Sequence, residues 1–564
     1  MEKTRVVIAG AGPVGLFTAY LLARHKIECV VLEKRDGISG HPKAHTINPR
    51  TLEIFRQAGL DVAYIRQQAA TAKDAGSVRL VYGLNDAEIG SFPYERQDEE
   101  VRNLTPEPLV NWPQPKLEHL LEQAVTATGF AQVRRGWQVD AVDVTDEAGC
   151  VVSCSPTHRG GGTNNNDHGA TAAAAAVVSH SILADYVIGA DSVNSTVREK
   201  MAGIDFESLG SGHAYQSIVC QGNLRSALPP GREAMLYFCF HPDHPSEFIA
   251  HDLDGSFVHV TPVIDPASGR PRTAPPPPIE ACLPGLPYSE VLRTVWETRP
   301  SVASSYSDAK HRVFLVGDAA HSLPPQGGLN LNTGLADAHN LVWKLAAVIK
   351  GIGSPGLLTS FTRERKPVAL ANLEYSKFSE AAFYSVSTTL VGIAIQYREA
   401  RTQAPDLSMD AFLQRPAISS AATGAVEEAS KHFDSLALQL GFIYDNPACS
   451  ETFQSPTIYE PRAYPGARLP HGTVSDGGSL LDLVPLDRFT VLHHANPAFE
   501  FCDWAIDVAT LGLPKAWYDV APEIMGGKGI IVRPDQHVLL HVDSPGQADD
   551  AVTEYLEHGH VRRS

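Results

Sequence analysis

The chain has 564 residues, 43% of them hydrophobic and 20% charged, with a formal net charge of −18. That length corresponds to roughly two to four domains, and the composition is that of an ordinary globular protein. The negative charge argues against nucleic acid and anionic membrane as partners, because a polyanion would be repelled. Met1-Glu2-Lys3 leads straight into Val6-Val7-Ile8-Ala9, without the basic stretch and cleavage site of a signal peptide. The most apolar later run, 390–395, is too short to span a bilayer. Cys150 and Cys154 are the only close cysteine pair, and no histidine cluster stands near them to complete a zinc site. These features predict a cytoplasmic protein with reduced thiols, no metal and no membrane partner.

In chain order, 5–9 reads as a short β-branched strand, 10–15 as a glycine-rich turn, 16–25 as a helix and 29–32 as a second buried strand. This is a βαβ unit that opens a parallel sheet. Within Gly10-Ala11-Gly12-Pro13-Val14-Gly15, Gly10 permits the tight turn and Gly12 lets the backbone approach a pyrophosphate at the helix N-terminus. Gly15 lets helix and strand pack closely. Glu33, at the end of the second strand, is placed to accept hydrogen bonds from a ribose diol. The turn therefore predicts a dinucleotide without separating FAD from NAD.

Residues 73–104 and 205–300 carry short β-like runs punctuated by proline and glycine, and predict a sheet-based second domain inserted into the first. The low-complexity stretch 157–176 reads as a loop insertion and 275–278 as a stiff surface segment. Residues 312–316 form another buried strand that ends in Gly317-Asp318, where a carboxylate can hold a polyol such as a ribityl chain. The loop from Pro324 to Thr333 then leads into a helix predicted over 334–350, and can offer N–H groups and a positive dipole end to a flat ring. A mostly helical stretch runs to about Gly441. Beyond Pro465 an αβ-patterned module is predicted, with strands at 489–492, 529–532 and 537–542.

Gly-Asp-Ala-Ala-His at 317–321, Pro324-Pro325, Gly327-Gly328 and Leu331-Asn332-Thr333-Gly334 together resemble the flavin signature of the para-hydroxybenzoate hydroxylase superfamily. Asp191 lies in a stretch, 184–198, that resembles the motif this family shares between FAD and NAD(P)H binding, with Ser192 where the family has glycine. His41 to Glu53 resembles the mobile flavin loop of the phenol and chlorophenol hydroxylases, with Lys43 where arginine is common. Gln114 matches a glutamine that contacts the flavin side chain. The tail, at 464–471 and 531–535, resembles the thioredoxin-like domain of the phenol-hydroxylase and polyketide-hydroxylase branch; it lacks Cys-x-x-Cys, and Cys502 stands alone, so it reads as a packing or dimerisation module.

The resemblance implies an α/β fold: a Rossmann-like FAD domain (1–72, 105–204 and 301–400), an inserted β-sheet substrate domain (73–104 and 205–300), a helical connection (401–445) and a thioredoxin-like domain (446–564). It also implies FAD, with NADPH or NADH as electron donor. The cofactor-binding residues expected are Gly10, Gly12, Gly15, Glu33, Lys43, Gln114, Val139, Asp191, Asp318, Pro325, Gly328, Leu331 and Asn332. The implied reaction is O₂-dependent hydroxylation of a small phenolic or polyketide-derived aromatic through a C4a-hydroperoxyflavin, and a homodimer is admitted. His45 stands where the branch often has an aspartate near the substrate hydroxyl. It is the candidate base, against the alternative that it only orders the flavin loop. His321 reads as structural, and Tyr215, Tyr237, His241 and His259 are undecided pocket candidates. The alternatives are an epoxidase or Baeyer–Villiger oxygenase on the same fold, a NAD-dependent dehydrogenase, or a silent flavin-binding protein.

Overall fold

A computed structural model of the chain describes residues 1–145, 149–157, 179–200, 204–265, 270–271, 279–283, 285–445 and 456–561. Nearly all of the low-complexity stretch 157–176, and the whole of 275–278, lie outside the described residues. The first sheet runs Ala131–Arg135, Cys29–Glu33, Glu2–Ala9, His180–Gly189, Gly149–Pro156 and Trp137–Thr145. Val313–Leu315 pairs in parallel with the C-terminal part of His180–Gly189. Its central strands are parallel and buried on both faces, so their side chains form unbroken β-branched runs instead of alternating. The turn at 10–12 and the Gly317-Asp318 pair therefore emerge on either side of strand His180–Gly189, at the C-terminal ends of parallel strands, where ligands of open α/β sheets bind.

A second sheet is ordered Tyr288–Glu297, Ala214–Gly222, Ser256–Pro262, Ser246–Asp252, Leu236–Cys239, Ser77–Val81 and Glu88–Pro93. Two stretches far apart in sequence thus meet in one layer, because Leu236–Cys239 pairs in parallel with Ser77–Val81. One face packs on its own apolar cluster with Phe248, Phe257 and Tyr237; the other faces the long helix Ser360–Gln403. By length and composition, Pro355–Gln403 is long and apolar enough to cross a membrane, so the run 390–395 belongs to a much longer element than its own length implied. Val386, Leu390, Ile393 and Tyr397 of this helix pack with Val78, Leu80 and Phe92. Phe383, Val391 and Ile395 of the same helix face a cavity.

The C-terminal module holds a mixed four-stranded sheet ordered Ala505–Asp507, Thr490–His493, Gly529–Val532 and Val538–Val542. It is fixed to the rest of the chain by buried charges. Arg468 binds the Glu53 carboxylate through two nitrogens. Arg50 donates to Gln536 at 2.7 Å and to the Asp535 carbonyl at 2.8 Å. Arg533 and Lys344 share Glu364, at 2.8 and 2.7 Å.

Candidate active site

One continuous cavity of about 2240 Å³ runs from the glycine-rich turn, past His45, to the gap between the second sheet and the long helix. Single-ligand pockets hold roughly 300–1,000 Å³, so there is room for a large cofactor and a second molecule.

At the first end, Gly10 has φ +99°, and a Cβ there would lie 2.4 Å from the Ala190 carbonyl. A Cβ on Gly15 would lie 2.0 Å from the Gly10 carbonyl, so helix Pro13–Arg24 seats on the turn only because this residue lacks one. Gly12 lines the cavity and its Cβ would meet no protein atom within 4 Å. That space is a cradle for a ligand, open at the N-terminus of a helix whose first N–H groups are unspent. Glu33 accepts from the Ala11 N–H at 2.8 Å and from Arg35 at 2.9 and 3.0 Å, and these bonds hold its carboxyl below the usual range against the opposing effect of burial.

Asp191 is pushed up by burial, while Ser195 (2.6 Å) and the Val197 N–H (3.2 Å) donate to it, so the carboxylate caps the short helix Thr196–Lys200 as well as lining the cavity. Ser192 has φ +75°, the left-handed conformation that favours glycine, at a cost of about 1–2 kcal/mol for a side-chain-bearing residue. Arg198 then joins this motif to the Gly-Asp motif, donating to the carbonyls of Val193 (2.7 Å) and Ala319 (2.8 Å).

Asp318 lines the cavity, accepts from Asn330 Nδ2 at 2.8 Å, and is raised by burial. The helix expected from Gly334 starts earlier and spans Leu329–Ile349, because Gly327 (φ +83°) and Gly328 (φ +61°) take the left-handed conformation and turn the chain into it. The second half of the predicted ring-facing loop is therefore the helix's own first turn, and Pro325 and Gly328 before it and Leu331 within it stand on the cavity wall. Asn332 is not on that wall. Its side chain accepts from the Asn48 N–H (3.0 Å) and Thr51 Oγ1 (2.8 Å) and donates to the carbonyls of Thr46 (3.0 Å) and Gly328 (2.7 Å), so it locks the His45 loop to the helix start. His321 is fully buried between Asp337 (2.9 Å) and Asn330 (3.2 Å) and does not line the cavity. Lys43, Gln114 and Val139 all line it.

His45 stands midway along. Its loop is pinned by backbone bonds from Trp112 to the His45 carbonyl (2.7 Å) and from Gln114 to the Ala44 carbonyl (2.8 Å). Burial pushes the ring down to about 4, so it is neutral at physiological pH. His45 Nε2 lies 3.3 Å from the Tyr94 hydroxyl, which is 2.6 Å from Thr46 Oγ1. A chain in which His45 Nε2–H donates to Tyr94 and Tyr94 to Thr46 leaves Nδ1 as the acceptor nitrogen of the neutral ring. The His251 ring crosses that of His45 at 5.1 Å. Tyr94 and His251 carried no signal in the sequence, because neither lies in a motif and only the strand pairing brings them to the loop.

Of the four undecided candidates, only Tyr215 lines the cavity, stacked on Trp296 at 4.8 Å. Tyr237 faces the opposite side of the sheet with its hydroxyl on the Arg232 carbonyl, and His259 packs there against Phe248. His241 packs against Tyr82 and His244, off the wall.

A family profile described as FAD binding domain matches residues 3–376. The chain belongs to this family. The chain is 27% identical to the FAD-dependent monooxygenase apdD of Emericella nidulans, over 97% of this chain and 88% of that one. Aklavinone 12-hydroxylase RdmE of Streptomyces purpurascens is 29% identical over 98% of this chain and 97% of its own. In fold, this FAD-dependent monooxygenase matches the solved flavin-dependent monooxygenase PieE, in complex with FAD and substrate, with a TM-score of 0.78 at 24% identity, covering 98% of this chain and 99% of that one. The open cradle at Gly12, the strand-end Asp318 and the helix start at Leu329 lie along one cavity and fit FAD.

Proposed function

We propose that the protein hydroxylates a phenolic, fused-ring aromatic of polyketide type, using O₂ with NADPH or NADH as electron donor. The observation that carries this reading is the single cavity, which joins a dinucleotide cradle to an aromatic-walled lobe large enough for several fused rings. Aklavinone 12-hydroxylase RdmE and the tetracenomycin A2 monooxygenase-dioxygenase of Streptomyces glaucescens are relatives whose names point to such substrates. Bound FAD supplies the redox chemistry, accepting electrons from the nicotinamide and activating O₂ for transfer of one oxygen atom.

The chain's own residues bind, orient and move protons. The turn at Gly10–Gly15 and its helix receive the pyrophosphate, Glu33 the ribose, and Asp318 the ribityl hydroxyls. The N-terminus of helix Leu329–Ile349 stabilises negative charge on the ring edge. Neutral His45 accepts the phenolic proton, which makes the ring carbon a stronger nucleophile. We read the C-terminal module as thioredoxin-like and redox-inactive, a packing unit that also admits a dimer contact. The seven cysteines among the described residues are free, which supports a reducing, cytoplasmic setting. The test is a panel of one-ring phenols and hydroxylated anthraquinones, reading NADPH and NADH oxidation together with product mass. Stimulated oxidation with gain of one oxygen by a fused-ring compound is expected; stimulation by one-ring phenols alone would overturn the substrate class.

A further inference from the structure

The sheet wall of the cavity carries one carboxyl that has no partner among the described residues. Glu247 lies on strand Ser246–Asp252, where side chains alternate: Phe248 and Ala250 enter the apolar cluster behind the sheet, while Glu247 and Ile249 face the cavity. The cross-strand register places Phe238, Glu247, Val260, Ser217 and Thr294 in one row across four neighbouring pairings, and all five line the cavity. Glu247 is the only ionisable group in that row.

The other acids of the cavity are engaged. Glu33 is held by Ala11 and Arg35, Asp318 by Asn330, Glu95 by Ser435 and Gln439, and Glu380 by His213 at 2.9 Å. Glu247 has no hydrogen bond or ion pair among the described residues, and burial alone pushes its carboxyl up to about 7. Its oxygens are not sealed in the protein; they are reached from the cavity. Among the described residues, the lobe's own basic side chains already stand against other glutamates: Lys377 against Glu374 (3.0 Å), His213 against Glu380 (2.9 Å) and His432 against Glu428 (3.9 Å). The cations Lys34, Arg35 and Lys43 line the other, dinucleotide-binding end.

A carboxyl left unpaired in a largely apolar wall is costly unless a ligand satisfies it. We propose that Glu247 is the substrate-selecting residue of this enzyme: it receives a hydrogen-bond donor of the substrate, a hydroxyl or a protonated amine, and rejects substrates that carry a carboxylate at that position. The proposal rests on the reading of this cavity as the substrate site of an aromatic hydroxylase. A neutral carboxyl both donates to and accepts from a hydroxyl, an ionised one pairs with an ammonium, and a second carboxylate in the same low-dielectric space cannot ionise beside it without repulsion.

The test measures binding to the FAD-loaded protein by calorimetry with two matched probe sets. One is benzyl alcohol, benzylamine and benzoate; the other is anthraquinones bearing a hydroxymethyl, an aminomethyl or a carboxylate group at the same ring carbon. The expected result is that the hydroxymethyl and aminomethyl probes bind about tenfold or more tightly than the carboxylate. Glu247→Gln should weaken the amine about tenfold, strengthen the carboxylate, and change the alcohol little. The rank is read on whichever set binds. If only the one-ring set binds, the fused-ring reading fails while the Glu247 proposal is still tested. Equal binding of carboxylate and amine by the wild type, an unchanged amine-to-carboxylate ratio in Glu247→Gln, or no binding of either set would each overturn the proposal. Should the variant fail to fold, the wild-type rank decides alone.

Discussion

At the scale of single residues, the environment of His45 decides what its imidazole can do. A ring pushed down to about 4 by burial is uncharged at neutral pH and free to accept a proton, and the Tyr94 hydroxyl on Nε2 fixes its orientation. Removing it should slow oxygen transfer to the ring while electron transfer from the nicotinamide continues. We expect His45→Ala to lower the ratio of product formed to NAD(P)H consumed, with hydrogen peroxide making up the difference; a base contributes roughly 10²–10⁴-fold. A wild-type ratio would show that His45 only orders its loop. The identity of His45 was legible from its motif. Its protonation state was not, because that depends on burial among residues from three other segments: Tyr94, His251 and Trp112.

At the scale of elements, the glycine-rich turn separates binding from folding. The position of Gly12 is open on its Cβ side, whereas that of Gly15 is closed by the Gly10 carbonyl. Gly12→Ala should therefore fold with a stability within about 0.5 kcal/mol of wild type yet retain little FAD after purification. Gly15→Ala should be destabilised by about 3 kcal/mol or more, since overpacking against backbone cannot relax. Thermal melts of the stripped proteins and the flavin-to-protein ratio distinguish the two; full FAD retention by Gly12→Ala would remove the turn from the cofactor site. The strand, turn and helix here were readable because each is encoded locally. The start of helix Leu329–Ile349 was not, because two left-handed glycines cap it where side-chain periodicity has yet to begin. The strand Ala505–Asp507 was missed for a similar reason, being too short to show alternation.

At the scale of the whole molecule, the tail is not an independent appendage. Deleting it from Pro465 onward would remove Arg468 from Glu53, Gln536 from Arg50 and Arg533 from Glu364. Breaking one buried pair costs about 3–5 kcal/mol, so we expect the truncated chain to be insoluble or to lose its cooperative melt. A soluble truncation that keeps a native flavin spectrum would contradict this.

Acid should also destabilise the intact protein. Burial pushes His25, His45, His259, His471 and His537 down to about 4, so between about pH 6.5 and 4 the unfolded chain binds more protons and stability falls as pH is lowered. Glu95 and Glu247, raised to about 7, act oppositely: the folded state binds their protons between about pH 4.5 and 7, so their share rises as pH falls. Five groups oppose two, and the melting temperature should drop between pH 7 and 5; a flat or rising profile would count against the buried neutral histidines.

The sequence by itself determined what neighbouring residues encode: the βαβ unit around Gly10 and Glu33, the strand ending at Asp318, the flavin-type loop, and with them the cofactor and class of reaction. Only the tertiary structure decided which side of the second sheet faces the cavity, and so chose Tyr215 over Tyr237 and His259. It alone brought Tyr94 to His45, left Glu247 without a partner and tied residue 53 to residue 468. The physical reason is that a strand's two faces are equivalent until something packs on one of them. A charge likewise shows its partner, or the lack of one, only when distant segments are closed around it.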